Sequence, residues 1–488
     1  MGNKVVRDPV HGYISIDDRL CQFFIDTPIF QRLRSIEQTS MRCLFPGGRH
    51  DRFIHSLGVY HLAQRLYDRL KENSHKDVHS ILVDAGLEHT FIIAALMHDC
   101  GHAPFSHTSE YFYNQCGYSG RFHNLTYNHL QDVVDKKARE DFDFAGVKKK
   151  PADHEAMSAY VLLACYPDAL KVMDVDPTLA ARMVTGVRHR MPQNLRERVE
   201  NILIQLINGD AIDVDKLDYI IRDTWASGVK NAAIDVGRLL DAAIIEMEAG
   251  KPRFSYLSSA LSVIQTVVDA RNYLYEWIYG HHTVVYYAEL LKRLCLRLGM
   301  ALSKEDREAA DKLLSEMFST KIFNGCGSVD SQLVGKVCIR YLNDGDVMSL
   351  MKRTIGDDRL YKAYSSHVPA HFPFWKTEAE YKVCVAKDKR QAFDPEKCVA
   401  LLRDKYSLSS DCCFYCKGMS GKIYDITPSA VQIKMNNGEI HSYADIGNIT
   451  KHPSISDNTA SPFCYVFVDV SNLEKRKEML EFINDYEW

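Results

Sequence analysis

The stretch Leu96-Met97-His98-Asp99-Cys100-Gly101-His102 decides how this chain is interpreted. It places a His-Asp pair at the end of an apolar segment that runs from Phe91 to Met97. A histidine beside an aspartate in a protein core is costly unless something pairs with both, and a metal ion does so well. Imidazole and carboxylate ligands together are typical of Fe, Mn or Zn sites rather than of Ca²⁺ sites. We therefore predict a metal site at the end of a core helix.

The bulk composition is that of an ordinary globular protein. The chain has 488 residues, too many for one compact core, so we expect two or more domains. Hydrophobic residues make up 46% and charged residues 25%, and a net charge of −4 gives no global sign of nucleic-acid binding. No apolar run approaches the roughly 18 residues needed to span a bilayer. With 14 scattered cysteines and no apolar signal region, we expect a cytoplasmic protein with reduced thiols and no membrane partner.

Helical periodicity dominates the first 300 residues. Apolar residues recur at helical spacing in Leu57–Leu70, Thr90–Met97, Glu155–Cys165, Val199–Leu206 and the long stretch Ala260–Leu298. The polar segment Asn114–Pro151, with three consecutive lysines, is interpreted as a loop or an insertion.

The pattern changes from about residue 370. Ser420–Tyr443 alternates as strands do, with Asn436-Asn437-Gly438 as a hairpin turn, and Ser461–Val470 is a short β-type run. Asn472–Tyr486 is typical of an amphipathic helix. The segment Cys412-Cys413-Phe414-Tyr415-Cys416 has one CxxC without a second pair, so we predict a buried strand there rather than a zinc site.

Four His or Asp side chains lie within ten residues, namely His98, Asp99, His102 and His107. Packing alone does not readily explain this density, because a core histidine needs only to satisfy its hydrogen bonds. A second His-Asp dipeptide, His50-Asp51, lies in a Gly-rich loop. About one such dipeptide per 500 residues is expected from composition, so we interpret His50-Asp51 as a chance copy.

Three motifs, in this order, resemble those of the HD-domain deoxynucleoside triphosphate (dNTP) triphosphohydrolases: residues 51–59 (DRFIHSLGV), 96–107 (LMHDCGHAPFSH) and 212–223 (IDVDKLDYIIRD). The resemblance is collinear from Lys4 to about His282. It is strongest to the catalytic core of the animal members, without their sterile-alpha-motif domain. It implies a mainly α fold, with an HD-domain helical core over residues 1–300 and a helical, then α+β, regulatory or oligomerisation region over residues 301–488.

The resemblance also implies a mononuclear metal site formed by His55, His98, Asp99 and Asp215. Two imidazoles and two carboxylates leave open positions for water and a phosphate oxygen. The expected cofactor is one transition metal ion (Fe, Mn or Zn), with Mg²⁺ accompanying the nucleotide.

By the same resemblance, His107 would protonate the departing nucleoside 5′-oxygen and Glu110 would orient His107. His102 and His154 would contact phosphate or relay protons, a role that suits imidazole because it titrates near the working pH. Glu110 stands where the animal members have Asp.

The resemblance assigns two groups of residues to the substrate. The triphosphate, with about four negative charges, needs cations and a hydroxyl donor, and the matching residues are Arg52, Lys216, Arg271 and Tyr219. The sugar and base would be held by Gln38, Asp223, Tyr275 and Tyr279. Gln38 and Asp223 would hydrogen-bond the 3′-hydroxyl, and Tyr279 would exclude a ribose 2′-hydroxyl. Tyr275 replaces a His of the animal members, which leaves base preference open.

A further group resembles an activator site for GTP or a dNTP. Asp26, Gln31 and Arg34, together with Lys4 and Val5, match a guanine-reading segment. Phe45, Arg238 and His281 match an adjoining second-nucleotide site, whereas Arg7 and His282 depart from it. Such sites form between subunits, so the resemblance implies a homo-tetramer or a dimer of dimers. The alternative left open is that the segment DTPIFQRLR is simply a structural helix.

The resulting prediction is hydrolysis of a dNTP to deoxynucleoside and inorganic tripolyphosphate. One alternative keeps the metal but changes the substrate to another nucleotide or a nucleic-acid end. The other is a nucleotide-sensing or single-strand-binding assembly, which would show a strong salt dependence of nucleic-acid binding.

Overall fold

The computed structural model of the chain describes a defined set of residues: 2–115, 130–136, 138–142, 153–229, 234–318, 321–324, 328–331, 335–338, 340–390, 392–418, 426–447 and 463–486. Most of the segment Asn114–Pro151 and part of the predicted strand regions Ser420–Tyr443 and Ser461–Val470 lie outside these ranges.

The described residues are mainly helical, which confirms the predicted fold class. The α-helices are Asp18–Leu20, Pro28–Gln31, Arg52–Asn73, Lys76–Leu82, Ala85–Met97, Glu110–Gln115, Asp153–Cys165, Pro167–Val172, Pro177–Thr185, Leu195–Ile207, Val214–Ser227, Val236–Asp241, Leu261–Tyr273, His282–Leu302, Arg307–Met317, Lys321–Asn324, Asp344–Ile355, Arg359–Ser366, Glu378–Cys384, Pro395–Tyr406, Tyr443–Ile446 and Arg476–Asp485. Two segments are π-helical, Cys21–Ile25 and Leu274–Tyr279. Short 3₁₀ turns cover Arg32–Ser35, Ser40–Cys43, Ser106–Thr108, Ser258–Ala260, Pro428–Ala430 and Val470–Lys475.

The strands form small sheets. They are Asn3–Asp8, Gly12–Asp17, Ala243–Glu248, Lys251–Leu257, Ser328–Ser331, Gly335–Cys338, His371–Pro373, Cys413–Lys417, Gln432–Lys434, Ile440–Ser442 and Cys464–Asp469. The three-stranded sheet has Cys464–Asp469 at its centre, between His371–Pro373 and Cys413–Lys417. The buried strand predicted over Cys412–Cys416 is found at Cys413–Lys417. The predicted turn at Asn436-Asn437-Gly438 precedes Ile440–Ser442, and Gly438 has φ +88°.

Two hairpins in the first 300 residues escaped the sequence analysis. Asn3–Asp8 pairs antiparallel with Gly12–Asp17, and Ala243–Glu248 pairs antiparallel with Lys251–Leu257. The second hairpin turns through Ala249 and Gly250, which both have positive φ. That turn type favours glycine and was the available signal. The predicted helix over Ala260–Leu298 is likewise interrupted, by the π-helical segment and Gly280.

The second hairpin also connects the segments before and after residue 300. Strand Lys251–Leu257 pairs in parallel with Gln432–Lys434, so one four-stranded sheet contains strands from both sides of residue 300. The division into 1–300 and 301–488 stays a prediction.

Three helices carry the core on which the site is built. Arg52–Asn73 packs against both Ala85–Met97 and Val214–Ser227. Every residue from Thr90 to Met97 is buried, as expected of a helix that is apolar all round. The packing brings the first turns of two helices to the end of the third.

Aspartates fix where two of these helices begin. Asp51 accepts a hydrogen bond from the Ile54 amide at 2.9 Å, and Asp213 accepts one from the Lys216 amide at 2.8 Å. An N-cap carboxylate of this kind stabilises a helix by about 1 kcal/mol. Asp51 therefore has a structural role as the N-cap of this helix.

Within the described ranges, no single helix is long and apolar enough to cross a membrane. The helices Lys76–Leu82 and Ala85–Met97, bent by 72° at their junction, meet the length and composition requirement only as a pair.

Candidate active site

The four predicted metal ligands converge, and we call them the metal cluster: His55, His98, Asp99 and Asp215. Nε2 of His55 lies 3.0 Å from Asp215 Oδ1, and Nε2 of His98 lies 3.6 Å from the same oxygen. Asp99 Oδ2 lies 3.6 Å from His55 Nε2 and 3.5 Å from His98 Nε2. Only the Asp215 side chain is appreciably exposed, at 37%, so the cluster opens to solvent on that side.

The donor atoms fit a bound cation. Nε2 of His55 and Nε2 of His98 are buried, and within the described part of the chain neither has a hydrogen-bond partner. Such orphaned nitrogens are costly unless something coordinates them. His55, His98 and Asp215 each offer a ligand atom within 4.8 Å of the others. Imidazole plus carboxylate suits a divalent transition metal.

The far side of each imidazole is fixed. His55 Nδ1 donates to Asp218 Oδ2 at 2.7 Å, and His98 Nδ1 donates to the Ala95 carbonyl at 2.8 Å. These bonds fix both the tautomer and the ring orientation, which leaves Nε2 for the metal. Asp218, three residues after Asp215 on the same helix, was not singled out from the sequence.

Asp218 belongs to a buried charge network. Arg222 donates to both of its oxygens, at 2.8 and 2.9 Å, and to Asp8 at 2.9 Å. His11 Nε2 donates to Asp218 Oδ1 at 2.6 Å. A Cβ at Gly58 would lie 1.9 Å from Asp218 Oδ1, so only glycine leaves room for this carboxylate. The N-terminal hairpin, through Asp8 and His11, thus contacts the group that orients His55.

A second group adjoins the first, and we call it the histidine cluster: His102, His107, Glu110 and His154. Glu110 Oε1 accepts from Nδ1 of His107 at 2.9 Å and from Nδ1 of His154 at 2.6 Å. The His154 ring stacks on His102 with centroids 4.2 Å apart. His102 Nε2 lies 3.2 Å from Asp99 Oδ1, which joins the two clusters. Ligand atoms of the four side chains lie within 4.8 Å of one another, so this cluster too could hold a cation.

One glycine and two residues with positive φ shape the connection between the clusters. A Cβ at Gly101 would lie 2.4 Å from the Ser158 amide, so glycine permits the helix carrying His154 to approach. Phe105 and Ser106 have φ of +65° and +53°, which is uncommon without glycine. The Phe105 amide donates to Asp344 at 2.7 Å, and this bond holds the strained loop that precedes His107.

Neighbouring charges and burial give the histidines of this cluster different pKa values. Burial opposes charge on His154, but the Glu110 carboxylate prevails and raises the pKa of His154 to about 9. Burial opposes ionisation of Glu110, but His107 and His154 hold its pKa well below the usual range. Burial, together with Arg52 and His154, lowers the pKa of His102 well below its usual value. One neutral imidazole therefore lies beside one cationic imidazole.

The His154–Glu110 pair predicts a pH-dependent stability. Because the folded pKa of His154 is about 9 and its ordinary value is 6.5, the folded chain holds the extra proton between these pH values. The pair's contribution is full below pH 6.5 and is lost as pH rises to 9. We expect the free energy of unfolding of the wild type, relative to Glu110→Gln, to fall by about 2 kcal/mol between pH 6 and pH 9 in urea titrations.

The control for this prediction is Glu439→Gln, since Glu439 Oε2 lies 3.4 Å from His441 in an exposed pair. It should leave the pH dependence unchanged because solvent screens exposed pairs. An identical pH dependence in wild type and Glu110→Gln would show that His154 is not charged by Glu110.

The predicted phosphate-binding residues lie around the metal cluster. Arg52 is buried and donates to Ser106 Oγ at 2.7 Å, to Asp99, and to the Gln38 carbonyl at 3.3 Å. Lys216 Nζ donates to the Gly209 carbonyl at 2.9 Å and pairs with Asp213. Lys216 directly follows the metal ligand Asp215, and Arg52 precedes the metal ligand His55 by three residues on the same helix.

Arg271 and Tyr219 both lie near Tyr275. The Arg271 guanidinium stacks over the Tyr275 ring at 3.9 Å. Burial, with Tyr275 nearby, raises the pKa of Tyr219 well above its ordinary value, so its hydroxyl keeps its proton and can donate. The structure thus places a third cation and a hydroxyl donor among the predicted sugar and base residues.

The predicted sugar residues are linked by direct contacts. The Tyr279 hydroxyl donates to Asp223 Oδ2, and the rings of Tyr275 and Tyr279 meet edge to face at 5.1 Å. Gln38 is buried and connects to Arg52 through its carbonyl. Both tyrosines lie in the π-helical segment Leu274–Tyr279, a kind of irregularity frequent at functional sites.

His50 joins this group, which the sequence analysis missed. Its Nε2 donates to Asp223 Oδ1 at 2.6 Å, with the two side chains 6% and 0% exposed. A histidine in a Gly-rich loop gives no local sign of a contact 173 positions away. His50 is not part of the metal cluster, and its contact is with a predicted substrate residue.

The predicted activator residues lie on the surface in two small groups. Lys4 Nζ contacts Asp26 Oδ2 at 2.7 Å, with both side chains about half exposed, and Val5 is exposed beside them. Arg34 donates to Gln31 Oε1 at 2.9 Å and stacks over Phe53 at 3.5 Å. At the adjoining site, Arg238 is exposed, and Phe45 and His281 are half-buried. No contact between these two groups is described.

Most residues of the two clusters fall within a span that matches a known family model. Residues 52–170 match the family model described as HD domain, a span that contains three metal-cluster residues and the whole histidine cluster. A relative from Dictyostelium discoideum, named deoxynucleoside triphosphate triphosphohydrolase SAMHD1 homolog, is 28% identical over 57% of this chain and 46% of its own length. An uncharacterized protein of Methanocaldococcus jannaschii is 27% identical over 60% of this chain and 49% of its own. The chain thus spans about half the length of these curated relatives.

The whole fold also has a solved counterpart. The crystal structure of a hypothetical protein from Aquifex aeolicus superposes with a TM-score of 0.60 at 19% identity, covering 98% of this chain and 100% of that one. At this identity the similarity concerns the fold alone.

Proposed function

The chain is an HD-domain protein related to the deoxynucleoside triphosphate triphosphohydrolases, and from this premise we propose that it hydrolyses 2′-deoxynucleoside triphosphates to deoxynucleoside and inorganic tripolyphosphate. The observation that carries the proposal is the junction of the two clusters. Asp99 of the metal cluster lies 3.2 Å from His102 of the histidine cluster. A phosphate held at one cluster therefore lies beside acid–base groups of the other.

In the proposed reaction a water oxygen attacks the α-phosphorus and the bond from phosphorus to the 5′-oxygen breaks. A divalent metal ion, when bound by the metal cluster, supplies Lewis-acid polarisation of the phosphate and lowers the pKa of a coordinated water. Arg52, Lys216 and Arg271 neutralise charge on the phosphate oxygens, with Mg²⁺ accompanying the nucleotide. His107, held by Glu110, donates the proton that the departing 5′-oxygen needs.

The substrate class rests on the sugar residues. The Asp223 carboxylate accepts a hydrogen bond from the 3′-hydroxyl, Gln38 hydrogen-bonds the same hydroxyl, and Tyr279 packs where a ribose 2′-hydroxyl would be. A buried filter of this kind rejects a ribonucleotide by steric conflict and by desolvating its extra hydroxyl.

Activation by GTP or a dNTP at a subunit interface extends the proposal. Support comes from exposure: Lys4, Val5, Asp26 and Arg34 all lie on the surface of a single chain, available to a second subunit. Asp26 would accept from guanine N1 and N2, and Arg34 would donate to O6 and N7. A homo-tetramer or a dimer of dimers would bring Phe45, Arg238 and His281 to the same nucleotide pair.

Product analysis tests the proposal. Purified protein is loaded with Mn²⁺ or Fe²⁺ and assayed with each dNTP and each ribonucleotide, with and without GTP. We expect deoxynucleoside and tripolyphosphate in equal amounts, with dNTPs preferred. Release of monophosphate or pyrophosphate, or turnover of another nucleotide or a nucleic-acid end alone, would contradict the proposal. A product that appears only with GTP would support the activator site.

A further inference from the structure

His50 holds a carboxylate that is already fixed on its other side. Asp223 accepts from His50 Nε2 through Oδ1 and from the Tyr279 hydroxyl through Oδ2. With donors on both oxygens, the carboxylate cannot rotate about its terminal bond without losing a hydrogen bond. Asp223 is fully buried, so each lost bond would leave an unpaired polar atom in the core.

Buried polar atoms without described partners lie close to this carboxylate. Gln38 Oε1 and His50 Nδ1 are buried and have no hydrogen-bond partner among the described residues. The two residues are neighbours, because the Gln38 amide donates to the His50 carbonyl at 3.2 Å. Buried polar groups are nearly always satisfied, so unpaired ones call for a ligand or ordered water. The surroundings of Asp223 therefore combine a carboxylate held on both oxygens with two buried polar atoms that have no described hydrogen-bond partner.

Each carboxylate oxygen has two lone pairs, and His50 and Tyr279 use one on each. We propose that His50 is a positioning residue that fixes the Asp223 carboxylate to accept the 3′-hydroxyl of the deoxynucleotide, so that His50 sets the selectivity for a 3′-hydroxyl. This inference rests on the function proposed above. It goes beyond that function in assigning His50, which does not need to touch the substrate to act.

The test compares a dNTP with the matching 2′,3′-dideoxynucleoside triphosphate, which lacks the 3′-hydroxyl. The measured quantity is kcat/KM for the dNTP divided by kcat/KM for the dideoxynucleotide, both with metal-loaded enzyme. For His50→Ala we expect this ratio to fall by about 10- to 100-fold, the range for one hydrogen bond to a charged group. For the dideoxy substrate, the kcat/KM of His50→Ala should be almost the same as that of the wild type.

A conservative variant separates positioning from packing. His50→Gln keeps an N–H donor at a similar reach to Nε2, so it should recover most of the ratio lost in His50→Ala. His441→Ala removes a partly exposed histidine far along the chain in the strand Ile440–Ser442 and should leave the ratio at the wild-type value. Circular dichroism and metal content confirm that each variant is folded and loaded.

The outcomes are distinguishable. Equal losses for both substrates in His50→Ala would mean a structural role for His50 and would overturn the inference while leaving the proposed function. A wild type that turns over both substrates equally would also overturn the inference alone. No turnover of any dNTP by metal-loaded wild type would refute the proposed function and the inference with it.

Discussion

The double variant His98→Ala/Asp99→Ala is expected to lose its bound metal and all measurable turnover while keeping the helical circular dichroism signal. It removes two of the four ligand side chains: His98, which lies 3.6 Å from Asp215, and Asp99, which lies 3.6 Å from His55. The remaining pair, His55 and Asp215, cannot hold a divalent ion with comparable affinity because coordination falls to two protein ligands. Metal content by plasma emission spectrometry and tripolyphosphate release measure the two losses separately.

Removing Asp99 also leaves Arg52 without its buried carboxylate partner, and such an unpaired charge costs about 3–5 kcal/mol. The single variant Asp215→Asn covers the case in which the double variant fails to fold, since Asp215 is partly exposed and asparagine keeps its shape. It too should lose metal and turnover. The matched control, His441→Ala/Asp445→Ala, removes the same residue types near the exposed hairpin and should keep both. Retained metal in Asp215→Asn and in the double variant would remove the site assignment.

The site residues that the sequence predicts are metal-ligating or acid–base residues that lie next to a recognisable helix in the sequence. His98 and Asp99 follow an apolar helix directly, and Asp215 follows an N-cap aspartate by two residues. Several histidines close together after a core helix indicate a metal or catalytic site, because apolar packing does not require polar imidazoles. The histidine cluster consists of one short segment, His102 to Glu110, plus His154. The closeness of the first three side chains to one another could therefore be predicted from the sequence.

The parts that the sequence misses depend on contacts between distant segments. His50 meets Asp223, and His11 meets Asp218, across 173 and 207 positions. Neither histidine carries a local pattern that predicts its partner. The Asp218 carboxylate also needs Gly58 opposite it, an arrangement that only the packing of two helices shows.

Strands were harder to predict than helices for a related reason. The hairpin Asn3–Asp8/Gly12–Asp17 is largely exposed, so it lacks a clear apolar alternation. Asp8 and His11 at its turn bond to Arg222 and Asp218. The hairpin is thus held in part by the network behind the metal cluster. The hairpin therefore carries the predicted activator residues Lys4 and Val5 and also contacts Asp218, which orients the metal ligand His55.

His107→Gln is expected to lower kcat by about 10²- to 10⁴-fold, the usual contribution of a positioned general acid. Glutamine can keep a hydrogen bond to Glu110 but cannot give up a proton to the 5′-oxygen. The His107 side chain is 60% exposed and its described polar contact is Glu110, so folding, metal content and KM should change little. Single-turnover product release with saturating metal and dNTP measures the chemical step.

The control is His79→Gln, the same chemical change at an exposed histidine in the helix Lys76–Leu82. It should leave kcat at the wild-type value. A kcat for His107→Gln within a few-fold of wild type would exclude His107 as the acid. His154 would then be the remaining donor, since Glu110 raises the pKa of His154 to about 9 and keeps it charged at neutral pH, even though burial opposes that charge. In that case Glu110→Gln, which removes the carboxylate shared by both histidines, would reduce kcat more than His107→Gln does.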